Sequence, residues 1–225
     1  MEILLVEDER VIRAHYVSIL EGEGFSVRAA KDGAQALEEF ARRRPDLAVL
    51  DLDLPKVAGF RVCEEFRRAA PSMPIVILTA NASDANEVRA LGLGADDFCA
   101  KTESAEVVLA RVRRAAERAA ALAPAGGMPK IVKLGQVEVD TATMVVSHGG
   151  GAERLTRGEM DVFTLLWEAN GRMCRPEELL DAMRERGSPC DIAVLYVFIS
   201  GLRRKLGPAG GLIDNRRRVA YRLIR

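Results

Sequence analysis

Leu47-Ala48-Val49-Leu50-Asp51-Leu52-Asp53-Leu54-Pro55 carries the pattern that decides the fold of this 225-residue chain. Four uncharged, strand-forming residues lead into a carboxylate, and a turn marked by Pro55 follows. An unbroken apolar run of this length reads as a strand buried on both faces, the usual state in a parallel sheet. A carboxylate at the C-terminal end of such a strand lies where open α/β sheets hold their chemistry.

Outward from this strand, the first half of the chain alternates strand and helix patterns. Strands are expected at Ile3–Val6, Phe25–Ala30, Ile75–Leu78 and Asp97–Ala100. Helices are expected over Arg10–Glu21, from Gly33 to about Arg43, from about Gly59 to Ala69, from a Ser83 cap to Leu91-Gly92, and over Ser104–Ala120. Val11, Ile12, Tyr16, Ile19 and Leu20 recur at helical spacing, and Asp32 and Ser83 are placed as helix caps. Five strand-helix units of this length predict a doubly wound five-stranded parallel sheet with right-handed crossovers.

The polar residues at the strand ends then fall on one edge. Glu7 and Asp8 follow the first strand, Asp51 the third, Thr79 the fourth and Lys101 the fifth. Each has an ordinary use alone: Asp8 as a helix cap, Thr79 as a strand end, Lys101 as a solvated cation. Together they define a chemistry. Three converging carboxylates need a cation, and oxygen-only ligands favour Mg2+. A hydroxyl and an ammonium beside them suit phosphoryl oxygens. The expected reaction is metal-assisted phosphoryl transfer onto Asp51.

Charge separates the two halves. Residues 1–123 hold 17 Lys/Arg against 21 Asp/Glu, a net of −4, and residues 124–225 hold 16 against 12, a net of +4. The stretch from Ala119 to Pro129 turns to small residues, Gly and Pro, and reads as a flexible linker. Beyond it, Ile131–Asp140 and Thr143–Ser147 read as two antiparallel strands, with His148-Gly149-Gly150-Gly151 as an exposed turn. Thr156-Arg157-Gly158-Glu159 is a capping box opening a helix that ends at Asn170-Gly171. Pro176 starts a second helix. Asp191–Leu206 is a third, apolar first and basic last, stopped by Gly207. Ile213–Asn215 and Val219–Ile224 flank Arg216-Arg217-Arg218 as a hairpin with a basic tip. Three helices and a basic hairpin describe an α+β winged helix-turn-helix, whose third helix enters the major groove of duplex DNA. The last 25 residues hold eight basic side chains and one acidic, Asp214, consistent with nucleic-acid binding.

Several classes are set aside by composition. No apolar run approaches the roughly 20 residues of a membrane span, so no membrane partner is expected. The acidic start, Met1–Asp8, does not resemble a signal peptide, and a cytoplasmic location is expected. Cys63, Cys99, Cys174 and Cys190 form no CxxC pair and read as buried or incidental thiols, with redox sensing by one of them the minor alternative. A hydrolase using Asp51 as nucleophile would need a substrate cap that the chain lacks, and no enzymatic activity is expected.

Residues 1–120 resemble the receiver domain of a bacterial two-component response regulator, CheY-like in fold. The matching pieces are Leu4–Glu9, Val49–Pro55, Leu78-Thr79-Ala80 and Gly94–Lys101. Residues 131–225 resemble the effector domain of the OmpR/PhoB type through Leu155–Glu159, Ile199–Gly207 and Val219–Leu223, with residues 121–130 as the linker. The resemblance implies a transcription regulator whose Asp51 accepts phosphate from a sensor histidine kinase. It assigns Mg2+ to Asp8, Asp51 and the Asp53 carbonyl, with Glu7 acting through water. Thr79 and Lys101 would hold the phosphoryl oxygens, and Phe98 would turn inward as Thr79 moves. Ser200, Arg203, Arg204, Lys205, Arg216, Arg217 and Arg218 would contact DNA. A homodimer on tandem half-sites is implied, with Arg89, Asp96, Asp97, Arg111 and Arg113 available for cross-subunit pairs, and so is contact with RNA polymerase through the loop before the third helix.

Departures from the family pattern cluster in two places. In the first domain, Thr102 and Glu103 replace a usual Pro and aromatic after Lys101, Ala58 replaces an acid or amide, and Glu87 and Val107 occupy dimer-face positions that usually carry a base and an acid. These motivate an alternative, a phosphorylation-independent DNA-binding regulator. In the second, Gly201, Phe198 and Tyr196 stand in the third helix where polar readers are common, and Ala220 replaces a wing glycine. Less base reading, more phosphate contact and strong salt dependence are expected.

Overall fold

The computed structural model of the chain describes residues 1–120, 128–149, 151–188, 190–216 and 219–224. Contacts divide it into two compact units, Met1–Ala121 and Leu122–Arg225.

The first unit alternates β1 (Glu2–Val6), α1 (Arg10–Gly22), β2 (Ser26–Ala30), α2 (Gly33–Arg42), β3 (Leu47–Leu50), α3 (Gly59–Ala69), β4 (Ile75–Thr79), α4 (Asp84–Gly92), β5 (Asp97–Ala100) and α5 (Ala105–Ala120). The strands form one parallel sheet in the order β2-β1-β3-β4-β5. Every residue of β3 is buried, because the sheet is covered on both sides. Leu5, Val49 and Val76 stand in register across β1, β3 and β4. They share a core with Tyr16 and Leu20 of α1 and with Val108 and Val112 of α5. Alternation turns Leu4, Leu50 and Ile77 to the other face, the side of the Phe40 and Phe66 rings, which stack at 4.5 Å and join α2 to α3. Local chemistry sets the helix starts: Asp32 accepts from the Gln35 N–H at the head of α2, and Ser83 accepts from the Asn86 N–H at the head of α4.

The second unit opens with a four-stranded antiparallel sheet, β6 (Ile131–Leu134), β7 (Val137–Asp140), β8 (Val145–His148) and β9 (Gly151–Arg154), paired in that order. The expected single strand Ile131–Asp140 is two strands. Gly135 takes a positive φ of 63°, and a two-residue hairpin sets Leu134 opposite Val137. The next expected strand starts late, because the Asp140 carboxylate accepts from the N–H groups of both Ala142 and Thr143 and holds a turn. β9 was not expected at all. His148 is not an exposed turn residue: it ends β8 and packs on Gly207, where an added Cβ would lie 3.0 Å from its Nε2.

Three helices follow, α6 (Arg157–Glu168), α7 (Pro176–Glu185) and α8 (Ile192–Lys205), then a 3-10 segment (Gly207–Leu212) and the hairpin β10 (Ile213–Arg216) and β11 (Ala220–Leu223). The capping box of α6 is formed: Thr156 accepts from the Glu159 N–H, and Glu159 accepts from the Thr156 N–H. Asp191 caps α8 by accepting from Val194 N–H. Backbone hydrogen bonds of 2.7 and 2.8 Å between Cys174 and Tyr221 tie the connection between α6 and α7 to the hairpin. The whole is a winged helix-turn-helix.

Candidate functional site

Parallel pairing brings the C-terminal ends of β1, β3, β4 and β5 to one edge. Glu7 and Asp51 are buried there, at 1% and 3% exposure, while Asp8 is exposed. Carboxylate oxygens of Glu7, Asp8 and Asp51 all lie within 4.8 Å of one another. The Lys101 ammonium reaches between two of them, 2.6 Å from Glu7 Oε2 and 2.6 Å from Asp51 Oδ2. Among the described residues no peptide bond is cis, and with Thr102 behind it Lys101 still reaches the edge, its N–H bonded to the Thr79 carbonyl at 2.9 Å.

Burial shapes the proton affinities. Desolvation pushes the Glu7 carboxyl above its ordinary value, and the hydrogen bond and charge of Lys101 offset this only in part. Burial alone would lower the Lys101 ammonium, but hydrogen bonds from it to Asp51 and Glu7 outweigh that cost and hold it above its usual value. Three hard oxygen donors around one point fit a small divalent cation, with Lys101 neutralising the pair it now touches.

Asp51 is oriented by its own backbone. Its Oδ1 accepts from Leu52 N–H at 2.6 Å and Asp53 N–H at 3.2 Å, leaving Oδ2 for Lys101. The following loop is clamped at Gly59, whose N–H donates to the Leu52 carbonyl at 3.0 Å. A Cβ there would lie 2.1 Å from the Asp51 carbonyl oxygen, so only glycine lets α3 start this close to the acceptor. The Asp53 side chain is exposed. Thr79 is fully buried at the end of β4, its hydroxyl accepting from Asn81 N–H at 3.2 Å, and Phe98 is buried on β5 opposite Ile77.

Two supports had no clear signal in the sequence. Arg13 donates to the carbonyls of Glu7 and Asp8 at 2.8 and 2.9 Å and fixes the loop after β1. Lys56, at a φ of 66°, pairs with Asp32 at 2.7 Å and ties the loop after Asp51 to the head of α2. Either contact depends on a through-space neighbour that spacing along the chain does not reveal.

The residues expected to pair across a dimer are engaged within the chain. Asp96 accepts from Arg67 and from the Ile75 N–H, with the Arg67 pair largely buried. Asp97 is held by Arg111 and Arg114, Arg113 by Glu23, and Arg89 lies 4.1 Å over the Phe60 ring. The thiols are buried as well, and burial pushes Cys63 up to about 12, far from thiolate chemistry.

On the second unit, two expected DNA contacts turn inward. The Lys205 ammonium lies 2.6 Å from Glu159 Oε2, with both side chains mostly buried. Arg203 donates to the Ile213 carbonyl at 2.6 Å and ties α8 to the wing. Ser200 and Arg204 stay exposed. Arg217 and Arg218 lie outside the described residues, as does the side chain of Arg216. The unusual residues of α8 have packing reasons. A Cβ at Gly201 would meet Glu159 Oε1 at 2.2 Å, and the buried Phe198 ring occupies the space a Cβ on Gly158 would need. Positions 198 and 201 therefore face α6.

Comparison with known proteins matches these two units to two families. Residues 3–113 match the response regulator receiver domain, and residues 150–223 match the C-terminal domain of transcriptional regulatory proteins. The chain is 34% identical over 204 residues to the sensory transduction protein RegX3 of Mycolicibacterium smegmatis, covering 91% of this chain and 89% of that protein. It is 34% identical over 225 residues to the response regulator MprA of Mycobacterium sp. (strain KMS), covering 98% and 96%. The fold is like that of the response regulator DrrB of Thermotoga maritima, described as an OmpR/PhoB homologue, at a TM-score of 0.51 and 23% identity over 100% of this chain and 99% of that one. With a doubly wound receiver carrying an acidic edge and a winged helix following it in sequence, the chain belongs to the OmpR/PhoB-type response regulators, transcription regulators that join a receiver to a DNA-binding domain.

Proposed function

We propose that Asp51 is the phosphoacceptor of this regulator and that a sensor histidine kinase is its donor. The observation that carries this is the buried Asp51 carboxylate at the end of β3, with one oxygen pinned by backbone N–H groups and the other against the Lys101 ammonium. Oδ2 is the oxygen that attacks phosphorus as the donor's P–N bond breaks. Lys101 then follows the transferred charge onto a phosphoryl oxygen, and the Thr79 hydroxyl closes on another. Asp8, Asp51 and the Asp53 carbonyl would hold Mg2+, with Glu7 through water; bound there, the ion neutralises charge developing on the phosphoryl group. Phe98 turns with Thr79 and carries the change to the outer face.

Residues 1–120 serve as the receiver, 121–130 as the linker and 131–225 as the effector. Phosphorylation favours a homodimer that pairs two effectors on tandem half-sites in the cytoplasm, with RNA polymerase met through the loop before α8. Exposed Ser200 and Arg204 and the arginines at 216–218 are the DNA contacts. Incubation with Mg2+ and acetyl phosphate, followed by intact mass and oligomeric state, tests the switch. One added phosphoryl group, absent from Asp51→Asn and accompanied by a shift to dimer, is expected. A dimer present beforehand, with no adduct from the donor or from candidate kinases, would point instead to a phosphorylation-independent regulator.

A further inference from the structure

The side of α8 that faces solvent is unusual in its chemistry. Ile192 and Tyr196 are 40% and 36% exposed, Ala193, Ser200 and Arg204 are exposed, and Val197 is half-buried. Val194, Leu195, Phe198, Ile199 and Leu202 are the buried side. The outward row recurs at three- and four-residue spacing, so it forms one continuous stripe. Its first two turns offer hydrocarbon and the Tyr196 phenol, and its charge comes only at Arg204.

A recognition helix reads base edges with its N-terminal residues. In the major groove, adenine is read by a side-chain amide, cytosine by a carboxylate and guanine by a cation, while the C5-methyl group of thymine is read by apolar contact. Between Ile192 and Val197 this stripe has no amide, carboxylate or cation, and the exposed Asp191 carboxylate just before it is committed to capping the Val194 N–H. Resting on the DNA-binding role of this domain, we infer that α8 selects its site by packing Ala193 and Val197 on thymine C5-methyl groups. Tyr196 and Ser200 flank that contact, and Arg204 supplies the one guanine or phosphate contact of the stripe. Duplex DNA is the occupant that fits, because the apolar stripe ends in an exposed cation on a half of the chain with a net charge of +4.

The full-length protein, with Mg2+ and acetyl phosphate, is used to select duplexes from a random library at fixed salt. Selected duplexes are then resynthesised with deoxyuridine replacing one thymidine at a time, which keeps the pairing and the O4 acceptor and deletes only the methyl. Enrichment of A·T pairs is expected, with affinity falling about fourfold for each methyl that is read, the worth of one buried methyl group. Val197→Ser is expected to erase the difference at one position. Equal affinity for the thymidine and deoxyuridine duplexes at every position would overturn the inference, as would selected sites made of G·C pairs or a failure to enrich any sequence. Retention of no duplex even at low salt would overturn the DNA-binding reading itself.

Discussion

The Lys101 ammonium lies 2.6 Å from carboxylates of both Glu7 and Asp51, two groups almost wholly removed from water. Removing it leaves two buried negative charges facing each other. Lys101→Met is expected to lose ~3–5 kcal/mol of stability in chelator, the usual result of breaking a buried pair. Urea titration with and without Mg2+ checks this, and the loss should shrink when the ion is present. Acid should shrink it too. Glu7 has a raised pKa in the folded protein, so folding strengthens its hold on a proton relative to the unfolded chain. That contribution is present below the ordinary value of 4.5 and is lost as the pH rises through the raised value. Lys101 is likewise raised, so its stabilisation persists at neutral pH and fades only as the pH climbs through a value above 10.5. Gly59 is as constrained as Lys101. Its missing Cβ would collide with the backbone of Asp51 and Leu52, which cannot swing away. Gly59→Ala is expected to cost about 3 kcal/mol or more and to lower phosphoryl uptake, read by thermal melting and intact mass.

At the scale of elements, Glu159 joins α6 to α8. One carboxylate oxygen accepts from Thr156 N–H at 2.7 Å and from Lys205 at 2.6 Å, while the other lies where a Cβ on Gly201 would stand. The carboxylate cannot turn aside without leaving both donors. Gly201→Ala is therefore expected to destabilise the effector by about 1–3 kcal/mol, although alanine favours helix over glycine. A lower urea midpoint at unchanged slope is the signature. The head of α2 behaves differently. Hydrogen bonding to Lys56, helped by the Gln35 N–H, holds the Asp32 carboxyl below its ordinary 3.8. Its stabilisation is full above that value and is lost as the pH falls through the lowered one. The melting difference between the protein and Asp32→Ala should thus be constant near neutral pH and vanish in strong acid. The capping box and the strand-helix alternation were legible because they are local patterns. The β6–β7 turn was not, because a lone Gly135 inside an alternating strand pattern signals a hairpin only once Leu134 and Val137 are seen to pair.

For the molecule as a whole, an acidic receiver precedes a basic effector on one chain. Pairing two effectors makes the second half-site contact intramolecular. Phosphorylation is expected to raise affinity for a duplex with two half-sites by on the order of 100-fold and to leave a single half-site nearly unchanged, measured by fluorescence anisotropy. The charge contribution has its own readout. Arg204 is exposed, whereas Lys205 is spent on Glu159. Where Arg204 sits on a phosphate, Arg204→Ala is expected to reduce the slope of log affinity against log salt by about one, and loss of Lys205 should act through stability.

What the sequence determined by itself is whatever depends on near neighbours and on hydrophobic period. The buried β3 run, the order of strands and helices in the first unit, the carboxylates and lysine at strand ends, the capped α6 and the basic third helix all follow from short windows. What the tertiary structure decided is which of those polar groups remain free. Lys205, Arg203, Asp96 and Asp97 look alike in sequence to groups facing water, yet Lys205, Asp96 and Asp97 are paired with opposite charges and Arg203 is hydrogen-bonded to the Ile213 carbonyl, each partner brought from another element. Gly201 makes room for Glu159, and Phe198 fills the space beside Gly158, contacts that no short window of sequence reveals. Charge and spacing are written along the chain, but pairing is a property of contacts across it, and burial settles whether a charge meets a ligand or its own fold.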